Sequence, residues 1–250
     1  MQPSGPIWRV AQWFVSKSLG SAAKQVLSAR EIALEDGQRV RWLPGETREF
    51  LKNLPVEVTS LRSHANLNDL PNFGSRLMVE LTVWTIGTYR ALRSMGVTAE
   101  EARALVADIG WVVYAQMLRL YSLPFSLITR NPAKRLRWTI KALLRFPFSV
   151  SEAPGYAAKI SETEEGILTH FTHCPPQSFV RRLGEAAGNQ DDLLAFRQSW
   201  CRYDWPGADL IAGDGRRDHY ERPHTLSHGD AVCDMCWRAS PAYEQSEGAR

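Results

Sequence analysis

Apolar residues in the first 150 positions recur mainly at helical spacing, every three or four residues. In the opening stretch Ile7, Val10 and Phe14 follow this spacing, which is typical of an amphipathic helix with one buried face. Thr98 and Glu101 match a capping box, in which two side chains satisfy unpaired backbone donors at a helix start. The pattern predicts helices over 7–32, 46–51, 73–95, 99–120 and 133–144.

After residue 150 the pattern mixes helical and strand periodicity. Apolar and polar residues alternate over 167–173, as they do in a half-buried strand. Residues 205–218 contain one proline and three glycines, which favours a long loop, and long loops are often functional. The other predicted elements are a connection over 149–155, a helix over 191–203 and two strands over 222–226 and 231–238.

These elements predict an α+β fold. A chain of 250 residues buries roughly three quarters of its unfolded surface, which is enough for one well-filled core. We expect a single α+β domain over 1–240, followed by a tail over 241–250. In this domain a helical N-terminal layer, over 1–150, packs on a small, mainly antiparallel C-terminal sheet, and residues 160–240 form the sheet-containing catalytic portion.

Composition and charge narrow the functional classes. The formal charge is +3 at pH 7 and the basic residues form no single run, so we expect no nucleic-acid partner. The apolar stretch over 105–128 is interrupted by Asp108, Gln116 and Arg119, which predicts a buried helix and no membrane span. The first residues lack the basic and apolar regions of a secretory signal. A cytoplasmic location with reduced cysteines is therefore expected.

Reactive side chains concentrate in the last third of the chain. All four cysteines and five of the six histidines follow residue 165. Thiols and imidazoles are suited to nucleophilic attack, proton transfer and metal ligation near neutral pH. We therefore place the candidate site in the C-terminal part, among these residues: Cys174, Cys201, Cys233, Cys236, His170, His173, His219, His224 and His228.

Spacing indicates how the cysteines group. Cys201 and Asp204 share a face if they lie on one helix, although a buried cysteine beside a salt-bridged carboxylate has the same spacing. Cys233 and Cys236 form a C-x-x-C pair, which is half of a common zinc site. On the predicted strand the two thiols point to opposite faces. Cys233 lies on the apolar face and is the better candidate nucleophile.

The histidines are less strongly grouped. His224 and His228 share a face of the predicted strand but lie roughly 13 Å apart, too far to ligate one ion. His170 lies on the same strand face as Cys174. A lone histidine on a strand is often a hydrogen-bonded structural residue, so the clustering of these side chains carries the functional signal.

Three segments together resemble a known family. They are Cys174 directly after a strand, the Cys201-x-x-Asp204 helix end, and a C-terminal segment with Arg222, Thr225, Gly229, Asp230, Cys233 and Asp234. Their order and spacing are similar to those of the L-2-amino-thiazoline-4-carboxylic acid hydrolase family over 169–237. The chain departs from the family pattern at Met235, where an aromatic residue is common, and by carrying Cys236.

The resemblance implies a hydrolase that opens a carbon–nitrogen bond of a cyclic amidine. A thiolate attacks the amidine carbon, an acid protonates the nitrogen and a carboxylate pairs with the amidinium. Cys233 is then the nucleophile, Asp204 and Asp230 bind the amidinium or orient water, and His224 or His228 carries the proton. Further substrate-binding residues are Cys174, Cys201, Asp234 and His170. The substrate is a small molecule, with a biosynthetic intermediate as one candidate. No cofactor is expected, and a homo-oligomer is left open.

Two other functional classes remain open. The cysteines could together hold a zinc ion, which would make the C-terminal region a metal-binding module or a metal-dependent enzyme. The ligands would be Cys174, Cys201, Cys233 and Cys236. Alternatively, Trp-rich basic helices could lie on a membrane or a partner, unless the tryptophans fill the core and the cations form a solvated face. The residues concerned are Trp8, Trp13, Trp84, Trp111, Trp138, Lys134, Arg135, Arg137, Lys141 and Arg145.

Overall fold

Helices dominate the chain up to residue 145, as the apolar spacing predicts. The computed structural model describes residues 5–239. The α-helices of this part are α1 (Pro6–Ala29), α2 (Pro44–Ser63), α3 (Phe73–Ser94), α4 (Ala99–Ile128) and α5 (Pro132–Arg145). A short antiparallel pair, β1 (Ile32–Ala33) and β2 (Arg39–Val40), lies between α1 and α2. The predicted helices over 46–51 and 99–120 are too short, because Pro44 fits the first turn of α2 and α4 continues past Pro124.

The rest of the chain combines helices with strands, which confirms the α+β class. Its elements are β3 (Ala157–Glu162), β4 (Gly166–His173), α6 (Pro175–Ala187), α7 (Asp191–Ser199), α8 (Asp204–Ala212), β5 (Tyr220–Glu221) and β6 (Cys233–Arg238). β3 is a strand that the sequence pattern did not predict. The predicted strand over 222–226 is wrong: the strand is β5, and Pro223 lacks the N–H that a strand ladder needs.

The predicted loop over 205–218 is also wrong, because α8 occupies more than half of it. Pro206 fits the first turn of this helix. Gly207 allows close packing, since a Cβ at this position would lie 2.9 Å from a methyl group of Leu118. Gly213 ends α8 in the left-handed conformation, with φ +63°, which glycine adopts without strain.

The described residues divide into two compact units. The first unit is mainly helical and contains the chain up to Leu70, Arg76–Val113 and Pro176–Cys201. Its core is built from the apolar faces of its helices; the largest fully buried side chains include Phe50, Phe179, Leu27, Leu61, Leu92 and Leu105. An ion pair from Arg90 to Asp192, with 2.6 Å between Nη2 and Oδ2, joins α3 to α7.

The second unit contains the four-stranded sheet and comprises Pro71–Ser75, Tyr114–Pro175 and the chain from Arg202 onward. The strand order is β3-β4-β6-β5, and every neighbouring pair is antiparallel. Phe171 is opposite Cys233 in the register, so the two side chains share one face of the sheet. The core between helices and sheet contains Leu118, Leu136, Ile140, Leu143, Ile167, Ala208, Ile211, Tyr220, Trp237 and Ala239.

Gly166 marks a close approach between β4 and β6. A Cβ at this position would lie 2.1 Å from the backbone oxygen of Trp237, which cannot move aside as a flexible side chain can. Gly166→Ala is therefore expected to lower the free energy of unfolding by about 1–3 kcal/mol, measured by urea unfolding. Gly45→Ala is the control, because a Cβ there has nothing within 4 Å. An equal loss in both variants would contradict the packing argument.

Helix length and the exposure of the tryptophans bear on membrane contact. Within residues 5–239, no helix combines the length and the apolar character that a bilayer span needs. Trp8 and Trp84 are buried, with 5% and 6% exposed, whereas Trp13 is 62% exposed. Tryptophan therefore fills the core at some positions and lies at the surface at others. The predicted tail over 241–250 lies outside the described residues.

Candidate active site

An ion pair between Asp204 and Arg222 forms the centre of the candidate site in the second unit. Asp204 is the first residue of α8, and Arg222 directly follows β5. Nη1 of Arg222 donates to Oδ2 of Asp204 over 2.9 Å. The side chain of Arg222 is 4% exposed and that of Asp204 is 21% exposed. The pair is therefore largely withdrawn from water, where charges interact more strongly.

Aromatic rings surround this ion pair. The hydroxyl of Tyr220 donates to the same Oδ2 of Asp204 over 3.2 Å. The guanidinium carbon of Arg222 lies 4.9 Å from the ring centroid of Trp205, a distance typical of a cation–π contact. Tyr220 packs edge-to-face on Trp205 and also contacts Trp237, with centroids 4.9 and 5.5 Å apart. These contacts hold the guanidinium of Arg222 in one orientation.

The acidic groups of the site are electrostatically linked. Burial raises the pKa of the Asp204 carboxyl above its ordinary value, while Arg222 and Tyr220 act in the opposite direction. Burial, followed by the charge of Asp204, also raises the pKa of Tyr220 and of Tyr114. These phenols therefore keep their protons at neutral pH. Tyr114 stacks on Tyr203 with centroids 5.4 Å apart, which extends the aromatic surroundings of Asp204.

Cys233, the first residue of β6, lies close enough to Arg222 and Asp204 for their charges to act on its thiol. Its Sγ accepts a hydrogen bond from the N–H of Leu226 over 3.2 Å and lies 3.3 Å from Oγ1 of Thr225. Burial raises the pKa of the Cys233 thiol, whereas the two hydrogen bonds and the Arg222 charge lower it. The thiol is therefore neutral at rest, but donors that stabilise a thiolate are already in place.

The turn between β5 and β6 holds these donors. The N–H of Thr225 donates to Oδ2 of Asp230 over 2.8 Å. Residues 226–228 form a short 3-10 helix that ends at Gly229. Oγ1 of Thr225 lies 3.2 Å from Oγ of Ser227. The hydroxyls of Thr225 and Ser227 therefore form a chain that begins at the Cys233 thiol. Asp230 therefore supports the turn through the backbone of Thr225.

Three of the predicted histidines, His170, His224 and His228, lie at the surface of the second unit. Nδ1 of His224 lies 2.7 Å from Oδ2 of Asp234, and its backbone N–H donates to Oδ1 over 2.6 Å. His228 and His170 are exposed. His170 is opposite Asp234 in the register, on the sheet face that Cys233 does not share. Within residues 5–239, no hydrogen bond joins these side chains to Cys233.

The other three cysteines have different surroundings. Cys174 directly follows β4, and after burial it is the largest influence that raises the pKa of Tyr156. Cys201 belongs to the first unit and packs on its core. Cys236 lies on the sheet face opposite to that of Cys233, as strand alternation predicts. Among the described residues, no group of three or more His, Cys, Asp or Glu side chains could hold a metal ion.

The sequence pattern did not indicate the roles of Arg222, Tyr220 and Thr225, although Arg222 and Thr225 belong to the family-like segment. Asp204 and Arg222 are 18 positions apart, and their contact depends on α8, where a loop was expected. The available signal was an arginine two positions after a tyrosine, because a buried guanidinium needs both a carboxylate and an apolar or aromatic surface.

A buried histidine joins α8 to β5. His219 is 3% exposed, with Nδ1 2.9 Å from Oδ1 of Asp209 and Nε2 3.1 Å from Oδ2 of Asp214. Each ring nitrogen of His219 therefore faces a carboxylate oxygen. His219 directly precedes Tyr220, so this cluster also fixes the start of the segment that carries Tyr220 and Arg222.

The contact between His224 and Asp234 is expected to change the pH at which the His224 ring titrates. The hydrogen bond and the charge of Asp234 raise the pKa of His224. A histidine whose pKa is raised on folding stabilises the folded state fully at pH values below its pKa in the unfolded chain. This stabilisation is lost as the pH rises through its pKa in the folded chain. We expect NMR titration of the ring protons to give a pKa above about 6.5 and Asp234→Asn to restore the ordinary value. An identical titration in both proteins would contradict the pairing.

The second unit thus combines a thiol with preset hydrogen-bond donors, a carboxylate and a buried guanidinium. Such a set is suited to attack on a cationic electrophile, because the thiol supplies the nucleophile and the carboxylate pairs with the cation. Comparisons of the chain with protein-family models, with curated proteins and with solved structures find no match.

Proposed function

We propose that this chain is a cysteine-dependent hydrolase that opens a carbon–nitrogen bond of a cyclic amidine or a related small cation. The C-terminal motif that resembles the L-2-amino-thiazoline-4-carboxylic acid hydrolase family supports this chemistry. The observation that carries the proposal is the environment of Cys233. Its Sγ accepts a hydrogen bond from Leu226 and is under the influence of Asp204 and Arg222, and an attacking thiolate needs such donors and charges.

Asp204 is the proposed partner of the substrate cation. Its Oδ2 accepts hydrogen bonds from Arg222 and Tyr220, while Oδ1 accepts none from the part of the chain that the structure describes. Oδ1 can therefore accept from an N–H group of an amidinium. Aromatic faces such as that of Trp205 also stabilise a planar cation.

Binding of the cation also activates the thiol. Burial raises the pKa of Cys233, and a positive charge beside the sulfur favours the thiolate. The thiolate forms a bond to the amidine carbon, the carbon–nitrogen bond breaks, and the proton lost by the thiol ends on the departing nitrogen. Water then adds to the thioimidate. Cleavage of the carbon–sulfur bond releases the ring-opened product, in which the carbon carries a C=O group, and restores the thiol.

The proton path in this proposal begins at Thr225. Its Oγ1 lies 3.3 Å from Sγ of Cys233 and 3.2 Å from Oγ of Ser227. A hydroxyl both donates and accepts, so these groups can pass a proton from the thiol. We therefore assign the proton path to the hydroxyls, since His224 and His228 are exposed.

Two alkylating probes that differ in charge test the proposal. 2-Chloroacetamidine carries an amidinium and 2-chloroacetamide is neutral; both form a carbon–sulfur bond to a thiolate and release chloride. The preference is the labelling rate with 2-chloroacetamidine divided by the rate with 2-chloroacetamide. This ratio is expected to be about tenfold or more higher at Cys233 than at Cys236, because one hydrogen bond to a charged group has an effect of that size. Mass spectrometry of peptides after partial labelling measures both sites in one sample.

Asp204→Asn is the matched variant for this experiment. It removes the charge but keeps an oxygen that accepts from Tyr220. The preference for the cationic probe at Cys233 is expected to disappear, while labelling of Cys236 stays the same. An unchanged preference in Asp204→Asn, or a Cys233 that neither probe labels, would contradict the proposal.

The pH dependence of labelling is a separate prediction. Only the thiolate reacts, and burial raises the pKa of the Cys233 thiol. The rate with the neutral probe is therefore expected to keep rising above about pH 8.5, the ordinary pKa of a free thiol. Rate constants measured across this range give the apparent pKa. A rate that reaches its plateau below the ordinary thiol pKa would show that burial does not dominate.

A further inference from the structure

The second half of α4 carries an exposed apolar face that the proposed hydrolase site does not use. Leu120, Leu123, Leu127 and Ile128 are 63%, 51%, 80% and 71% exposed. Their spacing places them along one side of the helix. These four residues, together with Arg130 just before α5 and Lys134 in its first turn, are named the α4–α5 surface. Clusters of large exposed apolar side chains mark interaction sites in soluble domains.

Basic residues lie before, after and close to this apolar face in the sequence. From residue 109 to residue 151 the sequence has seven basic residues and no acidic one. Arg135 and Lys141 are engaged within the second unit, through the backbone of Ile211 and the carboxylate of Glu162. The exposed cations Arg119, Arg130, Lys134 and Arg145 take part in no salt bridge among the described residues.

We propose that the α4–α5 surface binds membranes that contain anionic lipid. In this arrangement the apolar side chains enter the interface between headgroups and acyl chains, while Arg130 and Lys134 contact the anionic headgroups. A second copy of the chain is a poorer partner, because two such surfaces facing each other would bring unpaired cations together.

Helix α1 offers a comparison within the same chain. Its exposed apolar residues are Ile7, Val10, Trp13 and Phe14, with 73%, 64%, 62% and 48% exposed. Within positions 7–14 the only cation is Arg9. The charge complementarity with anionic lipid is therefore stronger at the α4–α5 surface, and variants of each helix separate the two.

Flotation of the full chain with lipid vesicles tests the proposal. We expect binding to phosphatidylcholine vesicles that contain about 30 mol % phosphatidylserine and a marked loss of binding between about 0.1 and 0.5 M salt. Leu123→Ser/Leu127→Ser is expected to weaken binding more than about tenfold. Arg130→Gln/Lys134→Gln is expected to weaken it by roughly 25-fold, at about fivefold for each cation.

Lys52→Gln/Val56→Ser in α2 is the matched control, since both side chains are exposed and Val56 is 69% exposed. This variant is expected to bind like the original chain, and circular dichroism checks that every variant folds. Absent binding, equal binding to pure phosphatidylcholine, or loss confined to Trp13→Ser/Phe14→Ser overturns the proposal. Self-association that the α4–α5 variants abolish, with no change in lipid binding, also overturns it and identifies a second copy as the partner.

Discussion

Replacing Arg222 with methionine is expected to lower the free energy of unfolding by about 3 kcal/mol, because it leaves the Asp204 carboxylate without its partner. Removing one member of a buried ion pair costs about 3–5 kcal/mol. The side chain of Asp204 is 21% exposed, which places the expected loss at the lower end of this range. The variant also loses the contact with the Trp205 ring. Urea unfolding followed by tryptophan fluorescence measures the loss.

A double-mutant cycle separates the ion pair from other effects of the substitution. Asp204→Asn/Arg222→Met removes both charges, so it is expected to be more stable than the sum of the two single losses predicts, by about 1–3 kcal/mol. Arg222→Lys keeps the charge but not the planar fork or the stacking, and an intermediate loss is expected. Strictly additive losses in the cycle would show that the two side chains do not stabilise each other.

Arg222→Met is also expected to change the pKa of the Cys233 thiol. The charge of Arg222 lowers the pKa of Cys233 and that of Asp204 raises it. Removing the guanidinium therefore raises the thiol pKa further, and labelling by a neutral alkylating reagent moves to higher pH. Asp204→Asn is expected to move it to lower pH. Shifts of the same sign in both variants would contradict the electrostatic account.

Local sequence patterns predicted the helices and strands whose own residues show a clear periodicity. The spacing of apolar residues indicated α1, α3 and α5, and the predicted strands covered most of β4 and all of β6. The alternation also placed Cys233 and Cys236 on opposite faces of β6. Such patterns depend only on which side of a helix or strand is buried, and they need no knowledge of the partner element.

Elements that depend on tertiary packing were not predicted. Residues 204–212 form a helix despite Pro206 and Gly207, because the proline fits the first turn and the glycine packs on Leu118. β3 lies at the edge of the sheet and four of its six residues are exposed, so its alternation is weak. A pattern confined to one element cannot indicate what that element packs against.

The candidate site shows the same limit. The sequence grouped Cys233 with Asp204, but it also grouped them with His224, which pairs with Asp234 at the surface. The contact of Arg222 with Asp204 requires both α8 and the pairing of β5 with β6. Residue type and motif identified the reactive segment, while the partners of each side chain depend on how distant segments meet.

For the proposed hydrolase activity, replacing Cys233 with serine is expected to lower kcat/KM for ring opening by at least about 10³-fold, which corresponds to about 4 kcal/mol of transition-state stabilisation. A serine hydroxyl is a weak nucleophile without a base to activate it. The hydroxyls of Thr225 and Ser227 are not bases of that kind. Hydrolysis of 2-amino-thiazoline-4-carboxylate, followed by liquid chromatography and mass spectrometry, measures the loss, and a panel of cyclic amidines extends the assay to related rings.

Cys236→Ser is the matched control, because it makes the same chemical change three positions away on the opposite face of β6. It is expected to keep wild-type turnover. Rapid acid quenching is expected to trap a covalent adduct, detected by intact mass, in the wild type and in Cys236→Ser but not in Cys233→Ser. Full turnover by Cys233→Ser would remove the nucleophilic role of Cys233. Equal losses in the two variants would indicate a general effect on the sheet, because only Cys233 has its Sγ at the Leu226 N–H.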